Sequence, residues 1–228
     1  MKYKLTDNKK VINGITLYQI EAVKDIPKFG IKAGDLGGFI EKESNLSQED
    51  CAWVYGSAQV YGNAQVYGSA WVSGGARVYG NAQVYGSAQV YGDAWVYGNA
   101  WVSGGARVYG SAQVYGDAWV SGNAQVYGSA WVYGNAQVYG SAWVSGGALI
   151  ISKLDLVYLA APKFDLTLTN AGLSIGCECH SIEHWLSNYR EIGTKNNFTE
   201  KEIEYYGKLI KTVIKMFKAQ QELKEDVK

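Results

Sequence analysis

Histidine is almost missing from this chain: His180 and His184 are the only two, and neither lies between residues 51 and 146. Chemistry that starts with proton abstraction by an imidazole, or with a metal held by several imidazoles, has no candidate in that stretch. Charge is missing from it as well. The 21 Lys plus Arg balance the 21 Asp plus Glu, yet only Arg77, Asp93, Arg107 and Asp117 fall there. A neutral balance without a basic cluster lacks the electrostatic footprint of a protein that binds double-stranded DNA, and no single-sign field is present to steer charged substrates. Cysteine is sparse and odd in number (Cys51, Cys177, Cys179), which provides no disulfide framework and fits a reducing compartment. No run approaches the ~20 apolar residues of a membrane span. Met1 to Lys10 is charged and has no apolar signal-peptide core, so a cytoplasmic location is expected.

What is present is a six-residue phrase, commonly Ala-Gln-Val-Tyr-Gly-Asn, said sixteen times from Cys51 to Gly146 with no insertion or deletion. Such a short unbroken period predicts a solenoid. Successive residues of an extended chain point to opposite faces, so Ala and Val share the inside while the Gln, Trp or Arg between them, and the Tyr or Ser after Val, point out. Gly and the following Asn, Asp, Ser or Gly supply a corner, since Gly adopts positive φ at little cost and Asn or Asp tolerates it better than most.

Laid out at a period of 18, seven post-glycine Asn or Asp residues sort unevenly: five fall in one column, Asn63, Asn81, Asn99, Asp117 and Asn135. The tyrosine two residues earlier is unbroken in the same column: Tyr61, Tyr79, Tyr97, Tyr115 and Tyr133. This predicts three hexads per coil, with stacked amides and rings along one corner as a structural ladder. The flanks read as caps, expected because an open strand edge recruits further strands. Residues 1–36 form a β-rich N-terminal cap with a turn at Asn13-Gly14. Residues 37–152 are the parallel β-helix, beginning with a degenerate coil in which Ile40 and Leu46 are six apart and Val54 eight further on, two residues too many. Residues 153–228 are an α+β C-terminal cap: two or three apolar strands between Leu154 and Ile175, then an amphipathic helix from the capping box Thr199 to Glu202 up to about Glu222. Its Lys208, Lys211, Lys215 and Lys218 are expected to be a solvated face.

The small-then-aliphatic alternation over residues 51 to 152 resembles the hexapeptide-repeat proteins, whose fold is a left-handed parallel β-helix. Here Tyr, with Gly one later, replaces the usual small residue after the aliphatic one, which alters the corner. The lead-in from Ile31 to Phe39, followed by Asn45-Leu46-Ser47-Gln48, resembles a bacterial and phage-borne subgroup labelled uncharacterised or polymer-forming. The resemblance implies the fold, a homo-oligomer with a trimer favoured, and no established activity. Transferases of the wider family rely on a histidine base and its carbonic anhydrases on three histidine ligands; lacking these, the chain is expected to be no enzyme and to need no cofactor. An acyltransferase would require a Tyr or Asp117 in place of the histidine.

Cys177, Cys179, His180 and His184 have metal-like spacing and form a candidate ligand set, against which stands simple structural packing. The outward aromatics are the other candidate: seven Trp and twelve Tyr between residues 51 and 146. Trp95, Trp131 and Arg77 share a face with the five-tyrosine column, and Trp101 and Trp119 share another. Such area either marks an interface or stiffens the coil by ring stacking. The leading expectation is a non-catalytic β-solenoid scaffold or binding module that self-associates and presents this surface to a partner. The alternative is a phage or mobile-element inhibitor or decoy that binds a host protein or a nucleotide ligand, since Tyr and Trp stack on bases. Carbohydrate adhesion is a further alternative, and ice binding would require repeated Thr, which is absent.

Overall fold

The computed structural model describes residues 1–225. β1 (Tyr3–Ile12) and β2 (Ile15–Ala22) form an antiparallel hairpin whose turn is Asn13-Gly14, both at positive φ. β2 pairs antiparallel with β3 (Leu36–Ile40), and β3 runs parallel to Gln59–Val60 with Ile40 opposite Val60. That separation of 20 residues recurs where Leu46 bridges Val66, whereas Val54 pairs with Val72 across 18. The two extra residues inferred from the spacing therefore lie between Leu46 and Val54.

Seventeen two-residue strands follow, β4 (Trp53–Val54) to β20 (Leu149–Ile150), in a β-solenoid of about six turns. Parallel pairs join strands 18 residues apart, as Trp95 to Gln113 and Trp101 to Trp119, in sheets of nine, six and five strands, the largest continuing into β1 to β3. The hexad Ala and Val side chains are inside and no more than 1% exposed. Each such Val contributes roughly 1.5–3 kcal/mol before ordering entropy is subtracted. The corner demands glycine for two reasons, seen at Gly104. Its φ is +66°, and a Cβ there would stand 2.8 Å from the Gly122 carbonyl oxygen of the next coil.

Both ends close with one device, a short turn that buries a polar side chain. A 3-10 turn, Glu43–Asn45, places a buried Asn45 whose Oδ1 accepts from Lys42 N–H while its Nδ2 donates to Gly62 and Ala64 carbonyls. At the far end the turn Lys153–Asp155 buries Asp155, whose Oδ2 accepts from the Ile151 and Ser152 N–H groups. Lys2 is buried too, and its Nζ donates to the Ala52 carbonyl of the first coil, 2.6 Å away. On the last coil, Trp143 N–H donates to Thr167 Oγ1 and Leu149 N–H to Asn170 Oδ1. Edge groups that would otherwise recruit another strand are thus satisfied by side chains.

The C-terminal strands number four, where the sequence pointed to two or three. β21 (Val157–Leu159), β22 (Leu166–Thr169), β23 (Gly172–Ile175) and β24 (Glu178–His180) form an antiparallel sheet in that order. β24 escaped notice because its Glu-Cys-His carries no apolar alternation. Two helices pack on this sheet: α1 (Ile182–Lys195), N-capped by Ser181, and α2 (Glu200–Glu225), opened by the expected capping box between Thr199 and Glu202. Their core, with Leu166, Leu173, Trp185 and Ile210, is separate from the solenoid's. Lys208, Lys211, Lys215 and Lys218 are exposed, as expected. Among the described residues no helix is long and apolar enough to cross a membrane.

Candidate functional site

The tyrosine column is a continuous stack. Tyr61, Tyr79, Tyr97, Tyr115 and Tyr133 follow one another at centroid distances of 5.0, 4.9, 4.8 and 4.8 Å with rings within 4° of parallel. The spacing is that of neighbouring strands in a sheet, so the backbone sets the stack and the rings fill it. Trp95 and Trp131 lie edge-on to Tyr79 and Tyr115 at 6.4 and 6.5 Å. Arg77, one coil below Trp95, places its guanidinium carbon 4.9 Å from that ring's centroid. The residues assigned to this face by the 18-residue layout do meet on it.

Other columns break where Ser replaces Tyr. Tyr91, Tyr109 and Tyr127 stack, but Tyr55, with Ser73 above it, turns to Trp71 instead. Trp101 and Trp119 stack at 4.9 Å on a second face. Stacking covers much of each ring, so the outward aromatics are mostly half-buried; those most open are Trp119, Trp131, Tyr55 and Tyr139. Trp53 contradicts the outward assignment: it is fully buried, edge-on to Tyr3, because the β1–β2 hairpin folds over the first coil. Among the described residues its Nε1 has no hydrogen-bond partner, nor has Oε1 of Gln59, which is also buried.

The amide column forms a directed chain. Lys42 Nζ donates to Asn63 Oδ1, Asn63 Nδ2 to Asn81 Oδ1, Asn81 Nδ2 to Asn99 Oδ1, and Asn99 Nδ2 to Asp117 Oδ1 at 2.9 Å. Asn135 was expected in this ladder, but no side-chain bond joins it to Asp117, where the chain of amides ends. The two Asn or Asp outside the column, Asp93 and Asn123, each lean over a glycine one coil below. A Cβ on Gly75 would meet Asp93 Oδ1 at 2.5 Å, and one on Gly105 would meet Asn123 Oδ1 at 2.8 Å.

Ionisation in the stack follows its packing. Burial, then the neighbouring phenols Tyr61 and Tyr97, push the Tyr79 hydroxyl up to about 12. Burial raises Tyr61, Tyr97 and Tyr115 in the same direction. These phenols hold their protons at neutral pH, which suits packing and not proton abstraction.

The candidate ligand set does not assemble. Cys177 and Cys179 are free and exposed, Cys179 Sγ lying 4.0 Å from Ser145 Oγ. His180 Nε2 is 3.0 Å from Glu178 Oε2, and its ring packs on His184 at 4.4 Å. Among the described residues no three of His, Cys, Asp and Glu are grouped to hold a metal. Adjacent strand residues point to opposite sides, which separates Cys179 from His180 despite the spacing.

No curated protein matches the chain. Five stretches of the solenoid, residues 58–74, 76–92, 88–104, 112–128 and 130–146, match the model of the YdcK beta solenoid repeat. That similarity and the parallel coils agree: the chain is a β-solenoid repeat protein.

Proposed function

We propose that this protein is a non-catalytic scaffold that self-associates, as a trimer, and presents its Tyr/Trp surface to a partner. We further propose that the solenoid winds left-handed with three hexads per coil; the 18-residue strand register supports the latter. The observation that carries the functional reading is the gapless five-ring stack beside Trp131, which is 44% exposed. A stack rigid along its length, with Trp131 open beside it and Trp119 open on a second face, offers large apolar area at low entropic cost, the usual character of an interface. The raised tyrosine pKa values and the Asp117 carboxylate, already accepting from Asn99, favour a non-catalytic role. Successive tyrosines at 4.8–5.0 Å leave no room for a base between them, so a nucleotide-binding decoy would have to use ring edges or the open tryptophans.

Light scattering at micromolar concentration tests self-association. The wild type is expected at the mass of a trimer, and Trp119→Gln with Trp131→Gln at a lower mass, because Gln already occupies the same register position in a neighbouring coil of each, Gln137 and Gln113. A strictly monomeric wild type would sink the proposal.

A further inference from the structure

Away from the solenoid, the C-terminal cap encloses a recess of about 50 Å³ that opens to solvent between β23, α1 and α2. By the same measure a single water needs roughly 10–15 Å³, so the recess takes a compact group of a few heavy atoms. Five aromatic rings line it, those of Phe164, Trp185, Tyr189, Phe198 and Tyr206, together with four isoleucines. One carboxylate, Glu178, is at the lining.

The polar atoms of Tyr206 and Trp185 are already committed. Tyr206 hydroxyl accepts from the Lys163 and Phe164 N–H groups and bonds to the Phe164 carbonyl, and Trp185 Nε1 donates to the Leu173 carbonyl at 2.6 Å. What these two rings still offer is apolar and π surface. Glu178 is held by His180 at 3.0 Å and by Asn196 at 3.4 Å, and these hydrogen bonds keep its carboxyl below the usual range, hence ionised at neutral pH. A ring of this set already accepts a cation: Lys163 Nζ, which does not line the recess, lies 4.1 Å from the Phe198 centroid and 3.8 Å from Glu202.

We propose that this recess binds a methylated ammonium group, carried by a methylated lysine side chain or by a small quaternary amine. π faces and one carboxylate attract positive charge. A primary ammonium would lose its hydration and find few acceptors in exchange, with Glu178 the only carboxylate among the lining residues, a costly trade. Methylation removes the need for those hydrogen bonds while keeping the charge, and gives a rounded apolar surface that the rings and isoleucines contact.

The test is a titration of the full chain by calorimetry and ligand-observed NMR with choline and with its uncharged isostere 3,3-dimethylbutan-1-ol. Choline is expected to bind about tenfold more tightly. Glu178→Gln, checked for an unchanged circular dichroism spectrum, is expected to weaken choline several-fold and to leave the alcohol unchanged. Equal affinity of the two ligands would show a plain apolar recess and overturn the proposal, as would absence of saturable binding. Choline binding indifferent to Glu178→Gln would place the cation elsewhere and also overturn it. A trimethyl-lysine peptide binding more tightly than choline assigns the group to a protein partner, and the reverse to a free amine.

Discussion

Replacing Tyr97 by Ser should cost more than replacing Tyr133 by Ser, in a ratio set by stacking neighbours. Tyr97 stacks on Tyr79 at 4.9 Å and on Tyr115 at 4.8 Å, whereas Tyr133 stacks on Tyr115 alone within the column. Each offset-stacked pair is worth about 0.5–1.5 kcal/mol beyond its area burial, so the inner substitution forfeits about 1–3 kcal/mol and the terminal one about half that. Serine is a fair probe because the chain itself uses it at this hexad position in Ser73, Ser103 and Ser121, with the same strand bonds. Equilibrium denaturation followed by far-UV circular dichroism gives the two losses. A double-mutant cycle of Tyr79→Ser and Tyr97→Ser should return a coupling of about 0.5–1.5 kcal/mol. Equal losses at the two sites with no coupling would refute the stack as a source of stability, and would leave the rings to serve a partner alone.

Two other perturbations read the corners and the far cap. Gly104→Ala should destabilise by about 1–3 kcal/mol, since strained φ and a backbone clash combine, while Gly147→Ala, where a Cβ meets nothing within 4 Å, should be near neutral in a thermal melt. Asp155 is pushed up by its burial, but the Lys224 ion pair and the Ile151 and Ser152 N–H groups outweigh this and hold its pKa below the ordinary value. Its contribution is therefore complete above the unfolded value near ~3.9 and is lost as pH falls through the lower folded value. Asp155→Asn should make the C-terminal cap exchange amide hydrogens faster at neutral pH and should flatten the acid limb of the stability profile.

Much of the solenoid was legible because one alternation fixes both interior and surface. Ala94 and Val96 are inside and Trp95 between them is outside for the same reason that holds in every hexad. The corner column was legible because duplication had not erased the preference for an amide: Asn63 through Asp117 are bonded in the order that the 18-residue layout sets out. The pairing of Asp93 with Gly75 and of Asn123 with Gly105 was equally open to that layout, as a bulky residue over a bare one, and passed unread. Long-range cover was not legible. Trp53 and Trp71 hold the same outward position in an Ala-Trp-Val run; the difference lies in the N-terminal hairpin, which lands on one and not the other. The Cys/His group failed for a local reason: four close positions in sequence were divided between a strand edge, a turn and a helix start.

The amide row has a direction, and its ends differ in kind. Lys42 at the bottom can only give protons and Asp117 at the top can only take them, with three asparagines between that do both. A further asparagine inserted between those ends would find a donor below and an acceptor above; one added above Asp117 would find no donor below it, and one added below Lys42 no acceptor above it. The same holds for whole coils, because each interior coil meets copies of itself while the Asn45 and Asp155 turns meet only the termini. Length in this molecule is consequently a free variable counted in units of 18 residues, fixed by how many copies stand between two terminators and by no contact within any one of them.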